Sequence, residues 1–280
     1  MSENDLLSEL YMVLSERPAG LLSDIDGTLS KIAPRPEDAV VDEAMLEALR
    51  LLTRQLDLVG VVTGRSAHDA EQMLGLKDLV YVGNHGMERV DNGRLTVVAA
   101  ARPFVAAIAE TLNAVRVRYP DPHVLFENKG LSGSIHYRLT TDPELAQEEL
   151  LELVAPLARA AGLELTLGRM IIELRPPVRA NKGTALAEIA GEHKLRSLIY
   201  LGDDITDLDA MRMLRELRDS GKINGLSIGV LDVESPVAIA QTADRTVVGV
   251  NGARTLLTGL AARLAESGRT DMGDQSASSG

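Results

Sequence analysis

The stretch Ala19–Thr28, with the sequence AGLLSDIDGT, indicates both a fold class and the position of a site. The small and apolar residues Ala19–Ser23 predict a buried strand, and two carboxylates, Asp24 and Asp26, follow it directly. Because ligands of open α/β sheets bind at the carboxyl ends of the strands, we expect this acidic pair to line a site. Asp24 could attack phosphorus, and Asp26 could serve as a general acid and base. An acidic turn after a strand is the alternative explanation.

The segments that follow alternate between strand and helix patterns. Asp42–Gln55 has apolar residues at helical spacing, Leu56–Thr63 predicts a second buried strand, and Leu79–Val82 predicts a third. Ser66, between the last two strands, suits the N-cap of a helix. This alternation is typical of a parallel sheet covered by helices, so we predict an α/β protein.

The alternation is interrupted in the middle of the chain. Glu88–Val98 predicts a hairpin, and the segment after it twice repeats one helix followed by two strands, beginning with a helix near Pro103–Arg118. The strand–helix alternation then resumes and ends in a helix near Ala253–Glu266. We predict a core domain of residues 1–102 and 177–266, an inserted α/β cap domain of order αββαββ at 103–176, and a disordered tail at 267–280.

A second acidic cluster follows the strand predicted at Ser197–Leu201. In Gly202–Asp207, the adjacent carboxylates Asp203 and Asp204 repel each other unless a cation lies between them. Mg²⁺ takes one or two carboxylates together with water and phosphate oxygens, so the pair indicates a magnesium site. Acidic residues at a helix N-terminus are also stabilising, and we expect Asp207 to have that structural role at least in part.

Two further strand–helix junctions carry groups suited to a phosphate. Thr63, Gly64 and Arg65 end the second strand and open a helix, where a hydroxyl and free amides could bind an anion. A plain capped turn explains them equally well. Lys182 stands at the start of another predicted helix, where a cation is unfavourable for the helix dipole, and this hints at a phosphate partner. Most lysines are simply solvated, so Lys182 alone is weak evidence.

The composition limits the class of protein. The chain has 280 residues, 45% of them hydrophobic and 25% charged, as expected for a folded chain with one large or two modest domains. Its net charge of −12 argues against a nucleic-acid partner. The absence of cysteine excludes a thiolate nucleophile and suits a reducing cytoplasm. No signal peptide or membrane span is indicated, so we expect a cytoplasmic protein with no membrane partner, and a monomer rather than an oligomer.

The strands of the insertion are predicted to have one polar and one apolar face. Residues two apart on a strand share a face, so Glu127 points with Lys129 and His136 with Arg138, while Glu173 lies on the last strand. The polar face could be solvated, as in every one-sided sheet, or could bind a polyhydroxylated ligand. The alternate residues are apolar and are expected to pack under the two helices: Phe126, Ile135, Tyr137, Ile172 and Leu174.

The order of the four motifs along the chain resembles that of the haloacid dehalogenase superfamily of phosphotransferases. The resemblance covers nearly the whole chain and implies a Rossmann-like parallel core with an inserted cap. It implies that Asp24 is the nucleophile and Asp26 the general acid and base. The residues that it implies for phosphate binding are Thr63, Gly64, Arg65 and Lys182. Those that it implies for Mg²⁺ are Asp24, Asp26 (through its carbonyl oxygen), Asp203 and Asp204.

Further segments narrow the resemblance to the trehalose-6-phosphate phosphatase family. They are Asp26–Leu29 followed by Pro34–Pro36, Val82–Glu88, Glu127–Gly130 with Ser134–Arg138, Glu173–Pro176, and Gly202–Asp207 followed by Asp209 and Ala210. In that family, cap residues contact the sugar hydroxyls, and the matching residues here are Glu127, Lys129 and Glu173. The matching segments also contain Asn84, His85 and Arg138, which are likewise expected to bind the substrate.

The resemblance implies Mg²⁺-dependent hydrolysis of trehalose 6-phosphate to trehalose and phosphate through an aspartyl-phosphate, as part of trehalose biosynthesis. The expected partner is therefore a small sugar phosphate. Two alternatives stay open. The same chemistry could act on another phosphorylated sugar or glycoside, or the chain could be a non-catalytic module that binds a sugar phosphate.

Overall fold

The computed structural model describes residues 3–233 and 235–277 of the chain. The helices are α1 (Glu3–Leu14), α2 (Glu43–Thr53), α3 (Ala67–Leu74), α4 (Val105–Arg118), α5 (Pro143–Ala160), α6 (Lys182–Glu192), α7 (Asp207–Asp219), α8 (Val237–Thr242) and α9 (Gly249–Ala277). The strands are β1 (Ala19–Ser23), β2 (Leu58–Val62), β3 (Val80–Gly83), β4 (Glu88–Asp91), β5 (Arg94–Val97), β6 (Leu125–Asn128), β7 (Gly133–His136), β8 (Glu164–Gly168), β9 (Ile171–Arg175), β10 (Ser197–Gly202), β11 (Asn224–Leu231) and β12 (Arg245–Val248).

The larger sheet of the described residues has the strand order β12-β11-β10-β1-β2-β3-β4-β5. The strands from β12 to β3 pair in parallel, and β4 and β5 add an antiparallel hairpin at one edge. β1 lies in the middle, between β10 and β2. The carboxyl ends of these three strands therefore meet at one edge of the sheet, and the predicted α/β class with a parallel core is confirmed.

Helices cover both faces of the larger sheet. Every residue of β1 and β2 is buried, which is typical of a parallel sheet packed on both sides. On one face, α1, α2, α3 and α9 pack around side chains such as Leu10 and Leu257. On the other face, α6, α7 and α8 pack around side chains such as Leu186 and Ile239. The loops at the strand ends are left uncovered by these helices and are available for a site.

A separate antiparallel sheet, in the order β6-β7-β9-β8, lies in the inserted segment. The helices α4 and α5 cover one of its faces, where Ile135 and Ile172 are fully buried. Glu127, Ser134 and Glu173 are register partners across β6, β7 and β9, so they share the opposite face. The polar and apolar faces expected from the alternation are therefore present.

Two element bounds in the insertion differ from the sequence prediction. A 3₁₀ segment, Ala99–Phe104, precedes α4, which begins at Val105 rather than near Pro103. β7 ends at His136, because the chain turns after Tyr137, whose carbonyl oxygen accepts a hydrogen bond from Thr140 N at 3.2 Å. Arg138 therefore lies in a turn, whereas the alternation placed it on the strand.

The ends of the chain also differ from the expected helices. α1 and α8 were not among the predicted elements, and α9 extends beyond the expected end near Glu266 to Ala277. Residues 1, 2 and 234 of the predicted core domain and residues 278–280 of the predicted disordered tail lie outside the described residues. None of the described helices combines the length and apolar character that crossing a bilayer requires.

Candidate active site

The predicted site residues surround a cavity of about 190 Å³ at the carboxyl edge of the larger sheet. One wall comes from the loops after β1, β2 and β10, and the polar face of the smaller sheet forms the opposite wall. The predicted residues that line it are Asp24, Asp26, Thr63, Gly64, Arg65, His85, Glu127, Lys129, Arg138, Glu173, Lys182, Asp203 and Asp204. Folding thus brings residues from distant parts of the chain around one space.

Asp24 is the first residue after β1, and its side chain is buried. Its N–H donates to the carbonyl oxygen of Leu201 at 2.9 Å, which ties it to the end of β10. Lys182 Nζ lies 3.0 Å from Asp24 Oδ1. Burial raises the pKa of the Asp24 carboxyl to about 7, although the charge of Lys182 opposes this shift. Asp24 therefore presents a desolvated carboxyl group, paired with a cation, to the cavity.

Three buried carboxylates lie close enough to share a metal ion. Asp24, Asp203 and Asp207 each offer an oxygen within 4.8 Å of the others. Asp203 Oδ2 is buried and accepts no hydrogen bond from the described residues. At Gly27, where φ is 92°, a Cβ would lie 2.1 Å from this same oxygen, so only glycine allows the Asp203 carboxylate to lie this close to the turn. The donor set fits a hard divalent cation, which would offset the repulsion among the carboxylates.

The charge of this group also affects the protonation of Asp203. Burial raises the pKa of the Asp203 carboxyl to about 9, and the carboxylates of Asp24 and Asp207 add to the shift. Thr28 Oγ1 donates to Asp203 Oδ1 at 2.9 Å, so one oxygen of this carboxylate has a fixed hydrogen-bond partner.

Asp207, for which a structural role is expected, is the first residue of α7 and is fully buried. Its Oδ2 accepts hydrogen bonds from the N–H groups of Asp203 at 3.1 Å and Asp204 at 3.0 Å. Its Oδ1 accepts from Lys182 Nζ at 2.7 Å and from the Tyr200 hydroxyl at 2.5 Å. Asp207 thus fixes both the loop that carries the acidic pair and the ammonium group of Lys182.

Asp26 and Asp204, also expected to coordinate magnesium, are not members of the three-carboxylate group. The Asp26 carboxylate accepts two hydrogen bonds from Arg65, Nε–Oδ2 at 2.7 Å and Nη2–Oδ1 at 2.8 Å. Such a bidentate pair fixes the orientation of a carboxylate. Arg65 also donates to the carbonyl oxygen of Pro36 at 2.9 Å. Arg65 therefore orients Asp26 here, and its expected contact with a phosphate stays a prediction.

The turn between β2 and α3 contributes Thr63 and Gly64 to the cavity wall. Thr63 is buried, and its Oγ1 accepts a hydrogen bond from Arg65 N at 3.2 Å. Gly64 packs against the ring of His85, where a Cβ would lie 2.6 Å from His85 Cε1. Ser66 caps α3 by accepting from the N–H of Asp69, as the sequence predicts. Phosphate binding by Thr63 and Gly64 stays a prediction.

On the cap side, Glu173 is at the centre of a buried polar cluster. His85 Nε2 lies 2.9 Å and Lys129 Nζ 3.3 Å from the Glu173 carboxylate. Burial raises the pKa of Glu173, but the charges of His85 and Lys129 outweigh it and hold this pKa well below its ordinary value. Burial lowers the pKa of the His85 imidazole. Glu173 is therefore a fixed acceptor at the cavity wall.

Glu127 lies beside this cluster. Its carboxylate is 2.9 Å from His136 Nε2 and 3.8 Å from Lys129 Nζ. Burial raises the pKa of Glu127, but the hydrogen bond with His136 and the charge of Lys129 lower it below its ordinary value. Together, Glu127, Lys129 and Glu173 present charged donors and acceptors to the cavity, a surface suited to hydroxyl groups.

Two other residues expected to bind the substrate have different surroundings. Asn84 is fully buried and is not part of the cavity wall. Its Nδ2 lies 3.3 Å from the carbonyl oxygen of Lys129, and its Oδ1 accepts from the Ser132 hydroxyl at 2.6 Å, so it joins the core to the cap. Arg138 lines the cavity from the turn after β7 and donates to the carbonyl oxygen of Arg169 at 3.1 Å.

Arg169 is a cavity residue that the sequence analysis does not single out. It lies in the turn between β8 and β9, and its Nη2 is 3.0 Å from Asp203 Oδ2. An arginine in a hairpin turn is usually solvated, and nothing in the nearby sequence indicates a partner. Only the packing of the smaller sheet over the larger one brings it to Asp203.

The parallel sheet with acids at its strand ends and an inserted antiparallel sheet defines a haloacid-dehalogenase-type core with a cap. Comparison with known proteins then identifies the family. The trehalose-phosphatase family matches residues 22–245, and the chain belongs to this family. The family resemblance inferred from the sequence is confirmed.

Individual proteins similar to this chain include relatives of known sequence and a solved structure. A probable trehalose-phosphate phosphatase of Sinorhizobium fredii is 35% identical over 215 residues, which cover 75% of this chain and 77% of that protein. A Mycobacterium tuberculosis protein named as an uncharacterized glycosyl hydrolase is 34% identical over 222 residues, covering 74% of this chain and 16% of that protein. The chain thus spans only a small part of that relative. A solved trehalose-6-phosphate phosphatase related protein has a TM-score of 0.74 at 27% identity, covering 89% of this chain and 99% of that one.

Proposed function

We propose that the protein is a Mg²⁺-dependent phosphatase that hydrolyses trehalose 6-phosphate to trehalose and phosphate. The observation that carries the proposal is the convergence of Asp24, Asp203 and Lys182 at the strand ends, opposite a polar cap face. Membership of the trehalose-phosphatase family supports the choice of substrate. A site with a nucleophilic carboxylate, a metal-binding acid and a buried cation suits phosphoryl transfer.

The proposed metal site consists of acids that lie close enough together to share a cation. Asp24 and Asp203 would hold Mg²⁺, Asp26 would contribute its carbonyl oxygen, and Asp204 would complete the acidic surroundings. Support comes from the burial of the Asp24 and Asp203 carboxylates and from Gly27, whose lack of a side chain lets Asp203 approach the loop that follows Asp24. A bound magnesium ion would offset negative charge on the phosphate oxygens.

In the proposed reaction, the Asp24 carboxylate attacks phosphorus, and the bond from phosphorus to the sugar O6 breaks as an aspartyl-phosphate forms. Asp26, kept near the reacting group by Arg65, begins the step in its protonated form and donates that proton to O6. Asp26 then takes a proton from the water molecule that cleaves the aspartyl-phosphate, so it ends in its starting state. Lys182 and the turn that begins at Thr63 offset the charge of the phosphate oxygens during both steps.

The sugar would be selected on the opposite wall. We propose that residues 103–176 form a cap domain over a catalytic core of residues 1–102 and 177–266. Glu127, Lys129 and Glu173 would bind sugar hydroxyls, because they are fixed charged groups that face the cavity. Closure of the cap would exclude bulk water from the reaction.

The other three residues expected to bind the substrate would hold these charged groups in place or contact the substrate themselves. Asn84 is proposed as a positioning residue, since its amide contacts the Lys129 carbonyl oxygen and the Ser132 hydroxyl. His85 would hold the Glu173 carboxylate, and Arg138 would contact the substrate from the turn after β7. The cytoplasmic location and monomeric state expected from the sequence stay predictions.

A phosphate-release screen over a panel of sugar phosphates tests the proposal. With Mg²⁺, trehalose 6-phosphate should be the preferred substrate, and EDTA should abolish release until Mg²⁺ is restored. Preference for another phosphorylated sugar would change the substrate and keep the chemistry. No release from any member of the panel would overturn the enzymatic proposal and favour a non-catalytic binding module.

A further inference from the structure

Arg169 connects the cap directly to the acidic centre of the core, which consists of Asp24, Asp203 and Asp207. Its Nη2 lies 2.9 Å from the carbonyl oxygen and 3.0 Å from Oδ2 of Asp203. Its Nε is 3.6 Å from Asp204 Oδ1, and its Nη1 is 3.6 Å from Asp232 Oδ2. The Arg169 side chain is 12% exposed. A single cap residue thus places a cation among carboxylates of the core.

The turn that carries Arg169 is held in place by the end of β7. Met170, the next residue, has a φ of 59°, and its carbonyl oxygen accepts a hydrogen bond from Tyr137 N at 3.2 Å. The carbonyl oxygen of Arg169 itself accepts from Arg138 Nη2 at 3.1 Å. The Arg169 guanidinium group therefore belongs to a hydrogen-bonded turn of the cap, and a movement of the cap would carry this group with it.

The position of this guanidinium conflicts with a metal ion at the same acids. Asp203 belongs to the three-carboxylate group, and Arg169 Nη2 lies 3.0 Å from Oδ2 of this carboxylate. A guanidinium group and a divalent cation that both contact the Asp203 carboxylate would repel each other strongly at such short separation. Contact of Arg169 with Asp203 and occupation of the site by a metal therefore compete.

We propose that Arg169 is a positioning residue that holds the cap closed on the metal-free acidic centre, and that divalent-cation binding displaces it and releases the cap. The two equilibria are coupled: contact of Arg169 with Asp203 weakens metal binding, and a bound metal weakens that contact and opens the cap to a sugar phosphate. The inference rests on the metal site of the proposed function and does not depend on which sugar is hydrolysed.

Calorimetric titration with Mg²⁺ alone tests the competition. Arg169→Ala removes the competing cation and should tighten Mg²⁺ binding by about fivefold or more, in the usual range of coupling between sites. Arg159→Ala removes the same charge from an exposed position at the end of α5 and should leave the affinity unchanged. Mg²⁺ affinity that is equal or weaker in Arg169→Ala would overturn the inference, because a purely structural arginine would not tighten the metal.

Distance measurements test the movement of the cap. The chain has no cysteine, so spin labels can be placed at Glu148→Cys on α5 and Arg212→Cys on α7, both exposed. In the doubly labelled protein with Arg169 intact, Mg²⁺ should lengthen or broaden the distribution of distances between the two labels. The doubly labelled Arg169→Ala variant should show this longer or broader distribution even without metal. Arg169→Lys keeps the positive charge, so the cap of this variant should stay closed without metal. This variant replaces Arg169→Ala in the measurement if the alanine variant does not fold. A distribution that Mg²⁺ does not change would contradict the inference.

The outcomes separate this inference from the proposed function. If Mg²⁺ binds and opens the cap but no sugar phosphate is hydrolysed, the inference stands and the phosphatase proposal fails. If sugar phosphate is hydrolysed while Arg169→Ala binds Mg²⁺ no more tightly, only the inference fails. If no variant binds Mg²⁺, both fail.

Discussion

Lys182 Nζ lies 3.0 Å from Oδ1 of Asp24, and both side chains are buried. The same ammonium group lies 2.7 Å from Asp207 Oδ1. Burial lowers the pKa of Lys182, but the carboxylates of Asp207 and Asp24 raise it above its ordinary value, so the group is charged at neutral pH. The Lys182 ammonium group therefore offsets part of the negative charge of Asp24 and Asp207 from within the core.

Replacing Lys182 with methionine removes this charge and keeps a side chain of similar length. In urea titrations with EDTA, we expect the free energy of unfolding to fall by about 3–5 kcal/mol, because buried carboxylates lose their partner. We expect kcat to fall by about 10²–10³-fold, since one group that offsets the phosphate charge is lost. Lys222→Met, at an exposed position, is the control. If Lys182→Met has the same free energy of unfolding as the wild type, the buried ion pairs of Lys182 do not stabilise the fold.

Asp26→Asn tests the general acid and base. Because a positioned acid or base contributes about 10²–10⁴-fold, kcat for trehalose 6-phosphate should fall by that factor. Asp38→Asn changes an exposed carboxylate on the same loop region and should leave kcat unchanged. Steady-state phosphate release measures both variants, and a loss of less than tenfold in Asp26→Asn would rule out this role.

Glu127→Ala tests sugar recognition by the cap. Loss of a charged hydrogen-bond acceptor should lower kcat/KM for trehalose 6-phosphate by about 10–100-fold. Turnover of a small aryl phosphate, which lacks the sugar, should change little. Glu164→Ala, at an exposed position of β8, is the matched control. Equal losses of kcat/KM on both substrates would mean that Glu127 does not contact the sugar.

Gly27→Ala tests the close packing of the Asp203 carboxylate against the turn at Gly27. A Cβ at Gly27 would lie 2.1 Å from Asp203 Oδ2, so Mg²⁺ affinity measured by calorimetry should fall by at least about tenfold. Gly93 also has a positive φ, 72°, but Gly93→Ala would have no atom within 4 Å of the added Cβ, so it separates backbone strain from the clash. Unchanged Mg²⁺ binding in Gly27→Ala would remove Asp203 from the metal site.

Much of the fold could be predicted because its signals are local. β1 has the predicted bounds, Ala19–Ser23, since five small or apolar residues between Pro18 and Asp24 suit a strand buried on both faces. Asp24 and Asp203 could be placed together because parallel strands end at the same edge of a sheet. The i, i+4 spacing of Leu6, Leu10 and Leu14 would also have indicated α1, whereas the six residues of α8 are too few for a clear period.

The contacts between side chains could not be predicted in the same way. Arg65 pairs with Asp26 rather than standing free, and Asn84 is covered by the cap instead of lining the cavity. Arg169 reaches Asp203 only because the β8–β9 turn is packed over the strand ends. These arrangements depend on how the cap lies on the core, and no short stretch of sequence encodes that placement.

Phosphate release from trehalose 6-phosphate by Asp24→Asn, compared with release by the unchanged protein in Mg²⁺, is the most direct test of the proposed covalent reaction. We expect steady release by the unchanged protein and none above background by Asp24→Asn, with the variant folded by circular dichroism. Release by Asp24→Asn at a rate close to that of the unchanged protein would contradict covalent transfer to Asp24, on which the proposed reaction depends.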